Sequence, residues 1–189
     1  MMDIAEIKNS LSLKLKPDRY THSLGVAYTA SCLAMRYGEN IEKAFLTGLL
    51  HDCAKFMSRE ELIDCCKAHG YIPSKEELLN PYALLHSKAG AFLAKEEYGA
   101  DDDICNAISY HTTGKPAMNL LEKIIFVSDY IEYHRKTIPG LDIVRQKAFV
   151  DLDDCIACVC ENTIAYLNSL DNGVAIDSTT IETYNYYNK

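Results

Sequence analysis

The stretch NIEKAFLTGLLHDCAK, residues 40–55, has a helical apolar pattern that a histidine and an aspartate interrupt. Asn40 is a favourable N-cap, so the stretch predicts a helix that begins there. Gly48 precedes His51 by three positions and Asp52 by four, so both polar side chains lie above a helix face without bulk. That face leaves room for a neighbouring helix or for an ion between the two polar groups. A simpler alternative is a capped helix end in which the aspartate binds a nearby lysine.

The helical pattern continues on both sides of this stretch, with caps and glycines at the ends of the segments. The pairs Ser58–Glu61 and Ser74–Glu77 each form a capping box, which predicts a helix start. The segments that it predicts as helices are PDRYTHSLGVAYTASCLAMRYG (17–38), SREELIDCCKAHG (58–70), PYALLHSKAGAFLAKEEYG (81–99), DDDICNAISYH (101–111), NLLEKIIFVSDYIEYH (119–134), DLDDCIACVCENTIAYLNSL (151–170) and TTIETYNYYN (179–188). We therefore expect one all-α domain over residues 1–189, a bundle of about eight to ten helices. Its motif-bearing core would span about 16–168, with a C-terminal helical extension at 171–189.

Composition excludes several classes of protein. The chain has 19 basic and 27 acidic residues and a net charge of −8, which argues against broad nucleic-acid binding but allows a local basic pocket. No segment approaches the roughly 20 apolar residues of a membrane span, and the N-terminus does not resemble a signal peptide. We expect a cytoplasmic protein whose eight cysteines are reduced. The run CIACVC (155–160) then predicts core thiols, with a zinc site as the alternative.

Three further histidines and one aspartate also fall on faces that should be core. His22, His86 and His111 each lie in an apolar helical stretch, with a glycine three or four positions away. Asp129 lies inside the apolar run IIFVSDYI. Buried groups of this kind are normally paired or bound to a metal. His69 and His134, by contrast, are expected at the surface or at helix ends.

Four histidines and two aspartates suit transition-metal ions such as Fe, Mn, Co or Zn. They are too many for a single catalytic ion that must keep open positions. They suit two ions roughly 3.5–4 Å apart, which can generate hydroxide near neutral pH and bind phosphoryl oxygens. The chemistry expected from the residues alone is hydrolysis of a phosphoester or phosphoanhydride.

In order along the chain, these six residues resemble the signature of the HD-domain metal-dependent phosphohydrolases. The segments RYTHSLGV, GLLHDCAK, LLHSKAGA, HTTG and SDYIE further resemble the YqeK-type subfamily, the symmetrical bis(5'-nucleosyl)-tetraphosphatases. The resemblance covers about residues 16–168. One departure is IEYHRKTIPG (131–140), where the family usually has a proline directly after the glutamate. The resemblance implies a single HD-domain helical bundle that hydrolyses diadenosine tetraphosphate to two ADP. Metal-bound hydroxide would attack an inner phosphorus.

The resemblance also implies a role for each of these positions. The first ion would be bound by His22, His51, Asp52 and Asp129, and the second by His86 and His111, with Asp52 bridging both. The ions would be iron, with manganese or cobalt as alternatives. Asp52 and Lys55 are the predicted catalytic residues, and the predicted substrate-binding residues are Arg19, Lys55, Thr112, Thr113, Gly114 and Arg135.

Two other functions are compatible with the same metal ligands. One is a different nucleotide phosphatase or phosphodiesterase of the HD superfamily, and the other is a metal-binding module that senses nucleotides without turnover. In each case the partner is a nucleotide, with no membrane and no broad nucleic-acid binding. A homodimer is a further hypothesis.

Overall fold

The computed structural model describes residues 3–170 and 176–189, which form eleven α-helices and no strand. The helices are α1 Ile4–Lys14, α2 Pro17–Tyr37, α3 Ile41–Leu50, α4 Arg59–Ala68, α5 Lys75–Leu79, α6 Pro81–Tyr98, α7 Asp102–Tyr110, α8 Leu120–Ile131, α9 Leu141–Ala148, α10 Leu152–Asn168 and α11 Ser178–Tyr187. None of them is long and apolar enough to cross a lipid bilayer. The all-α prediction is confirmed, with a helix count slightly above the expected eight to ten.

Two of the eleven helices were not predicted. α1 begins with a capping box between Asp3 and Glu6, a local signal that was present in the sequence. α9 has only eight residues and begins at Gly140 without a side-chain cap, so its sequence signal is weak. In the predicted C-terminal extension, residues 171–175 lie outside the described residues, and the part from Ser178 to Tyr187 forms α11.

The helix predicted over residues 40–55 is shorter in the structure, because α3 ends at Leu50. The His51 imidazole Nδ1 lies 2.7 Å from the carbonyl oxygen of Gly48 and donates to it. In a continuing helix that carbonyl would accept from the Asp52 amide. The following backbone hydrogen bonds span three residues instead of four, so tight turns follow the helix. His51 and Asp52 therefore lie at a helix end and not in its middle.

Helix α2 is central to the packing. It packs against α3 on one side and α8 on another, while α6 packs against α4 and α7, and α7 against α8. Gly48 of α3 lies directly against the α2 backbone, since a Cβ atom there would be 2.8 Å from the Cα of Ala27. This close approach brings the end of α3 beside α2. The six residues predicted as metal ligands lie where α2, α6, α7 and α8 meet that end.

Candidate metal centre

All six residues predicted as metal ligands lie together in one buried cluster. His22 comes from α2, His86 from α6 and Asp129 from α8, while the other histidines follow α3 and α7 directly. Each of these side chains is at least three-quarters buried. Five separate segments of the chain therefore contribute to a single constellation.

Asp52 lies at the centre of the cluster, and its two carboxylate oxygens face different neighbours. Oδ1 is 3.3 Å from His86 Nε2 and 3.7 Å from His111 Nε2. Oδ2 is 3.4 Å from His51 Nε2 and 3.9 Å from His22 Nε2. A carboxylate that faces two groups of ligands in this way has the geometry required of a bridge between two cations.

Each group is itself compact. His22 Nε2 is 2.9 Å and His51 Nε2 is 3.8 Å from Asp129 Oδ1. On the other side, the Nε2 atoms of His86 and His111 are 3.0 Å apart. Two sets of three residues offer ligand atoms within 4.8 Å of one another: one is His22, His51 and Asp129, and the other is His51, Asp52 and His111. Because His51 belongs to both sets, its Nε2 atom is within reach of either of two ions.

Backbone carbonyls orient two of the four histidines in the same way. His51 and His111 each follow the last residue of a helix, and each Nδ1 donates to the carbonyl three residues earlier, at 2.7 Å and 2.8 Å. A hydrogen on Nδ1 leaves the Nε2 lone pair free for a metal. The helix ends therefore direct both Nε2 atoms toward Asp52.

Glu132 orients His22, and it was not among the predicted site residues. Its carboxylate is 1% exposed, and Oε1 lies 3.1 Å from His22 Nδ1. Its other oxygen accepts from the His134 amide at 2.6 Å. Gly25 leaves the space for this carboxylate, since a Cβ atom there would clash with it. The available sequence signal was a second acid three positions after Asp129, at the end of the same apolar run.

Burial keeps two of the histidines neutral. It lowers the pKa of His86 well below its usual value, and the charge of Lys55 lowers it further. Burial likewise lowers the pKa of His111 to about 4. Both imidazoles are therefore uncharged near neutral pH, which is the form that binds a metal.

The two aspartates are ionised although they are buried. Burial raises the pKa of each carboxyl group, but nearby imidazoles outweigh it: His51 has the largest lowering effect on Asp52, and His22 on Asp129. The pKa of Asp52 lies well below its usual range, and that of Asp129 is also lowered. Two carboxylates that are held in the anionic form, beside the neutral imidazoles of His86 and His111, form a cluster that attracts cations.

Buried polar atoms without partners provide a test of whether a metal fits. His22 Nε2, His51 Nε2 and Asp52 Oδ1 are buried and have no partner in hydrogen-bond geometry among the described residues. The 2.9 Å approach of His22 Nε2 to Asp129 is close but poorly aligned for a hydrogen bond. Unpaired buried atoms are costly, and cations bound on the two sides of Asp52 would satisfy all three. The residues present therefore fit a metal ion.

Basic side chains predicted to bind substrate border the cluster at its solvent side. Arg19 Nη1 donates to Asp52 Oδ2 at 2.8 Å, and 41% of the Arg19 side chain is exposed. Arg135 Nη1 lies 3.7 Å from Asp129 Oδ1. Lys55 donates to the carbonyl oxygen of Tyr82, and burial lowers its pKa.

Two cavities meet at Arg19. The first, of about 640 Å³, extends past His22 and is lined by Lys16, Arg19, Arg135 and Lys136, among others; we call it the Arg135 cavity. The second, of about 410 Å³, is lined by Lys14, Lys16, Arg19, Lys55, Phe56 and Tyr82; we call it the Lys55 cavity. In a chain of net charge −8, these two cavities concentrate basic residues, and their positive charge would favour an anion.

The predicted Thr112–Gly114 loop divides into two parts. Thr112 Oγ1 lies 3.3 Å from His111 Nε2 and 3.4 Å from His86 Nε2, inside the cluster. The carbonyl oxygen of Thr113 instead accepts from Thr183 of α11, and Gly114 packs against the same residue. Substrate binding by these three residues stays a prediction.

Comparison with known proteins agrees with this geometry. The model of the HD domain family matches residues 19–134. The chain is 41% identical to "Bis(5'-nucleosyl)-tetraphosphatase, symmetrical" of Bacillus subtilis (strain 168), over 92% of this chain and 91% of that protein. It is 36% identical to the protein of the same description from Staphylococcus aureus (strain NCTC 8325 / PS 47), over 99% and 95% of the two chains.

A solved structure shares the fold. The crystal structure of an HD superfamily hydrolase from Clostridium acetobutylicum, described as involved in NAD metabolism, superposes with a TM-score of 0.93 at 44% identity. The match covers 99% of this chain and 97% of that one. Since the family model spans most of the chain and the segments that carry all six clustered residues, this chain belongs to the HD-domain family.

Proposed function

We propose that this chain hydrolyses dinucleoside tetraphosphates, and diadenosine tetraphosphate in particular, to two nucleoside diphosphates. The observation that carries the proposal is the 36–41% identity, over most of the chain, to proteins described as symmetrical bis(5'-nucleosyl)-tetraphosphatases. The buried cluster and the basic cavities beside it support the same activity. A polyphosphate needs both a cationic surface for its charge and a site that activates water.

The proposed cofactor is a pair of divalent transition-metal ions. Asp52 would contact both ions, because its two oxygens face different histidine groups. The other ligands would divide into two sets: His22, His51 and Asp129 for the first ion, and His86 and His111 for the second. When bound, the ions would supply the Lewis acidity that activates water and offsets charge on phosphoryl oxygens.

Imidazole and carboxylate ligands suit Fe, Mn, Co or Zn. The metal that we propose is iron, which the resemblance to the HD-domain phosphohydrolases implies, with manganese or cobalt as alternatives. Elemental analysis of protein purified without chelator identifies the metal. The cytoplasmic location and the homodimer remain predictions, and light scattering coupled to size-exclusion chromatography tests the second of them.

The two cavities suggest how the substrate lies. Both border Arg19, whose guanidinium contacts Asp52 at the centre of the cluster. A symmetrical substrate has one nucleoside on each side of its four phosphates. We propose that its inner phosphates lie beside Arg19, with one half of the molecule in the Arg135 cavity and the other in the Lys55 cavity.

Lys55 is the proposed electrostatic catalyst of this chain. The Lys55 side chain is partly buried in the wall of its cavity; burial lowers the pKa of its ammonium group, and the Asp52 carboxylate opposes that effect. A cation held in such a desolvated position interacts strongly with charge that develops on a departing phosphate. Arg19, which is more exposed, would hold a phosphate in place.

Product analysis is the main test. Hydrolysis of diadenosine tetraphosphate should give ADP alone, two per substrate, and in heavy-oxygen water the label should enter one of each two ADP molecules. Lys55→Ala should lower kcat strongly and leave the metal content unchanged. Lys95 is an exposed lysine paired with Asp102, so Lys95→Ala should change neither kcat nor metal content. AMP and ATP as primary products would contradict the symmetrical cleavage.

The same assay separates the alternative functions. A different nucleotide phosphatase or phosphodiesterase would release inorganic phosphate or open a cyclic nucleotide and leave the tetraphosphate intact. A sensing module would bind the tetraphosphate without forming any product.

Metal stoichiometry tests the proposed ligands separately from activity. The wild-type protein should hold two equivalents, His111→Gln about one, and Asp52→Asn close to none. His69→Gln is the matched control, because His69 pairs with Glu96 at the surface, away from the cluster. Retention of both equivalents by Asp52→Asn would show that the bridging assignment is wrong.

A further inference from the structure

The C-terminal helix α11 holds the loop that follows His111 at two points. The hydroxyl group of Thr183, which is fully buried, lies 3.0 Å from the carbonyl oxygen of Thr113 and 2.7 Å from that of Thr179 in its own helix. One helical turn further, the Tyr187 hydroxyl accepts from the Met118 amide at 2.9 Å. Residues about 70 positions away in sequence thus fix both ends of the 113–118 segment.

The backbone of this loop is shaped to meet α11. Gly114 adopts a φ of 65°, a left-handed conformation that favours glycine. A Cβ atom at Gly114 would lie 2.6 Å from Thr183 Cγ2. The methyl group of Thr183 therefore fills the space above the loop, while its hydroxyl group binds the adjacent carbonyl.

The loop carries groups of the proposed second ion. Thr112 precedes the bound Thr113 carbonyl by one residue, and its Oγ1 lies 3.3 Å and 3.4 Å from the Nε2 atoms of His111 and His86. His111 is the C-cap of α7, where its amide and its Nδ1 both bond to the Ile108 carbonyl, and the Thr112 peptide couples it directly to Thr113. A shift of the Thr113 carbonyl would therefore move Thr112 and His111.

We propose that Thr183 is a positioning residue for the second metal ion, and that α11 acts through the loop on His111 and Thr112 without touching the ion. The inference rests on the two-ion centre proposed above. Its consequence is that a helix at the C-terminal end of the described chain sets the affinity of one ion and not the other. Of the first ion's proposed ligands, His22, His51 and Asp129 make no hydrogen bond to this loop among the described residues.

The experiment titrates a divalent ion, Mn²⁺, into chelator-stripped protein and follows the two binding steps by calorimetry. Thr183→Val keeps the methyl group that packs on Gly114 and removes only the hydroxyl. Thr180→Val is the matched control, because Thr180 is a buried threonine of the same helix whose hydroxyl makes no hydrogen bond to the loop among the described residues. Tyr187→Phe removes the second contact point.

We expect Thr183→Val to weaken the second step about 10- to 100-fold, the range typical for groups that orient metal ligands, and to leave the first step unchanged. Tyr187→Phe should act in the same direction, and Thr180→Val should match the wild type in both steps. Tyr187→Phe also keeps the inference testable if Thr183→Val fails to fold.

Two binding steps of wild-type strength in both Thr183→Val and Tyr187→Phe would overturn the inference and leave the proposed function intact. Equal weakening of the two steps would also overturn it, because α11 would then support the fold in general. A single equivalent in the wild-type protein would contradict the two-ion centre itself and the inference with it.

Discussion

Substitution of Gly48 by alanine tests whether the close approach of α2 and α3 builds the site. A Cβ atom at Gly48 would lie 2.8 Å from Ala27 Cα and 2.9 Å from Ala27 N, both backbone atoms that cannot rotate away. The two helices must therefore move apart. Because α2 carries His22 and α3 ends directly before His51, the separation would also pull two proposed ligands of the first ion away from each other.

Gly90→Ala is a matched control. Gly90 is also buried within a helix, but a Cβ atom there would meet Ile108 Cγ2 at 3.4 Å and other atoms at 3.6 Å or more, which is ordinary contact. Replacement of a helical glycine by alanine stabilises the helix by about 1 kcal/mol. Both variants have this gain, so it cancels when their stabilities are compared. What remains is the cost of overpacking, typically about 1–3 kcal/mol.

We therefore expect Gly48→Ala to be less stable than Gly90→Ala by about 1–3 kcal/mol, which for a chain of this size is about 2–12 °C in Tm. The assay is scanning calorimetry of chelator-stripped protein, so that metal binding does not contribute to Tm. Metal titration of the same samples should show weaker binding in Gly48→Ala alone. Equal Tm values for the two variants would refute the reasoning, since the α2–α3 contact would then accommodate a methyl group.

Three further predictions concern other parts of the molecule. Glu132→Gln should weaken binding of the ion at His22 by about 10- to 100-fold in the same titration, because the carboxylate orients that imidazole; an unchanged isotherm would exclude this role. Combined replacement of Cys155, Cys158 and Cys160 by alanine should leave metal content unchanged and lower Tm. Cys155 and Cys160 are buried in the apolar core, and burial raises the pKa of each thiol to about 12. The loss of a zinc equivalent would contradict the interpretation as core thiols. The KM for diadenosine tetraphosphate should rise with ionic strength, because salt screens the basic cavities; a KM that does not depend on salt would show that they do not bind the phosphates.

The six clustered residues could be predicted from the sequence, because a polar residue inside an apolar helical run is visible in the sequence itself. A histidine or aspartate inside an apolar helical run, as at His86 or Asp129, is conspicuous without any knowledge of the fold. Helix starts were readable for a similar reason. The capping boxes at Ser58 and Ser74 are satisfied within one turn, and the structure shows both of them.

Tertiary structure decided what depends on partners distant in sequence. The sequence alone could not show that Glu132 meets His22, 110 residues away, or that α11 reaches the loop after His111. Nor could it show that α3 ends at Leu50. The Gly48 carbonyl can accept from the Asp52 amide or from His51 Nδ1, and the orientation of the His51 ring decides between these two donors. Local composition specifies which side chains are too polar for the core. Only the packed chain determines which atoms those side chains face, because a hydrogen bond between distant segments depends on distance and angle, and neither has a counterpart in residue spacing.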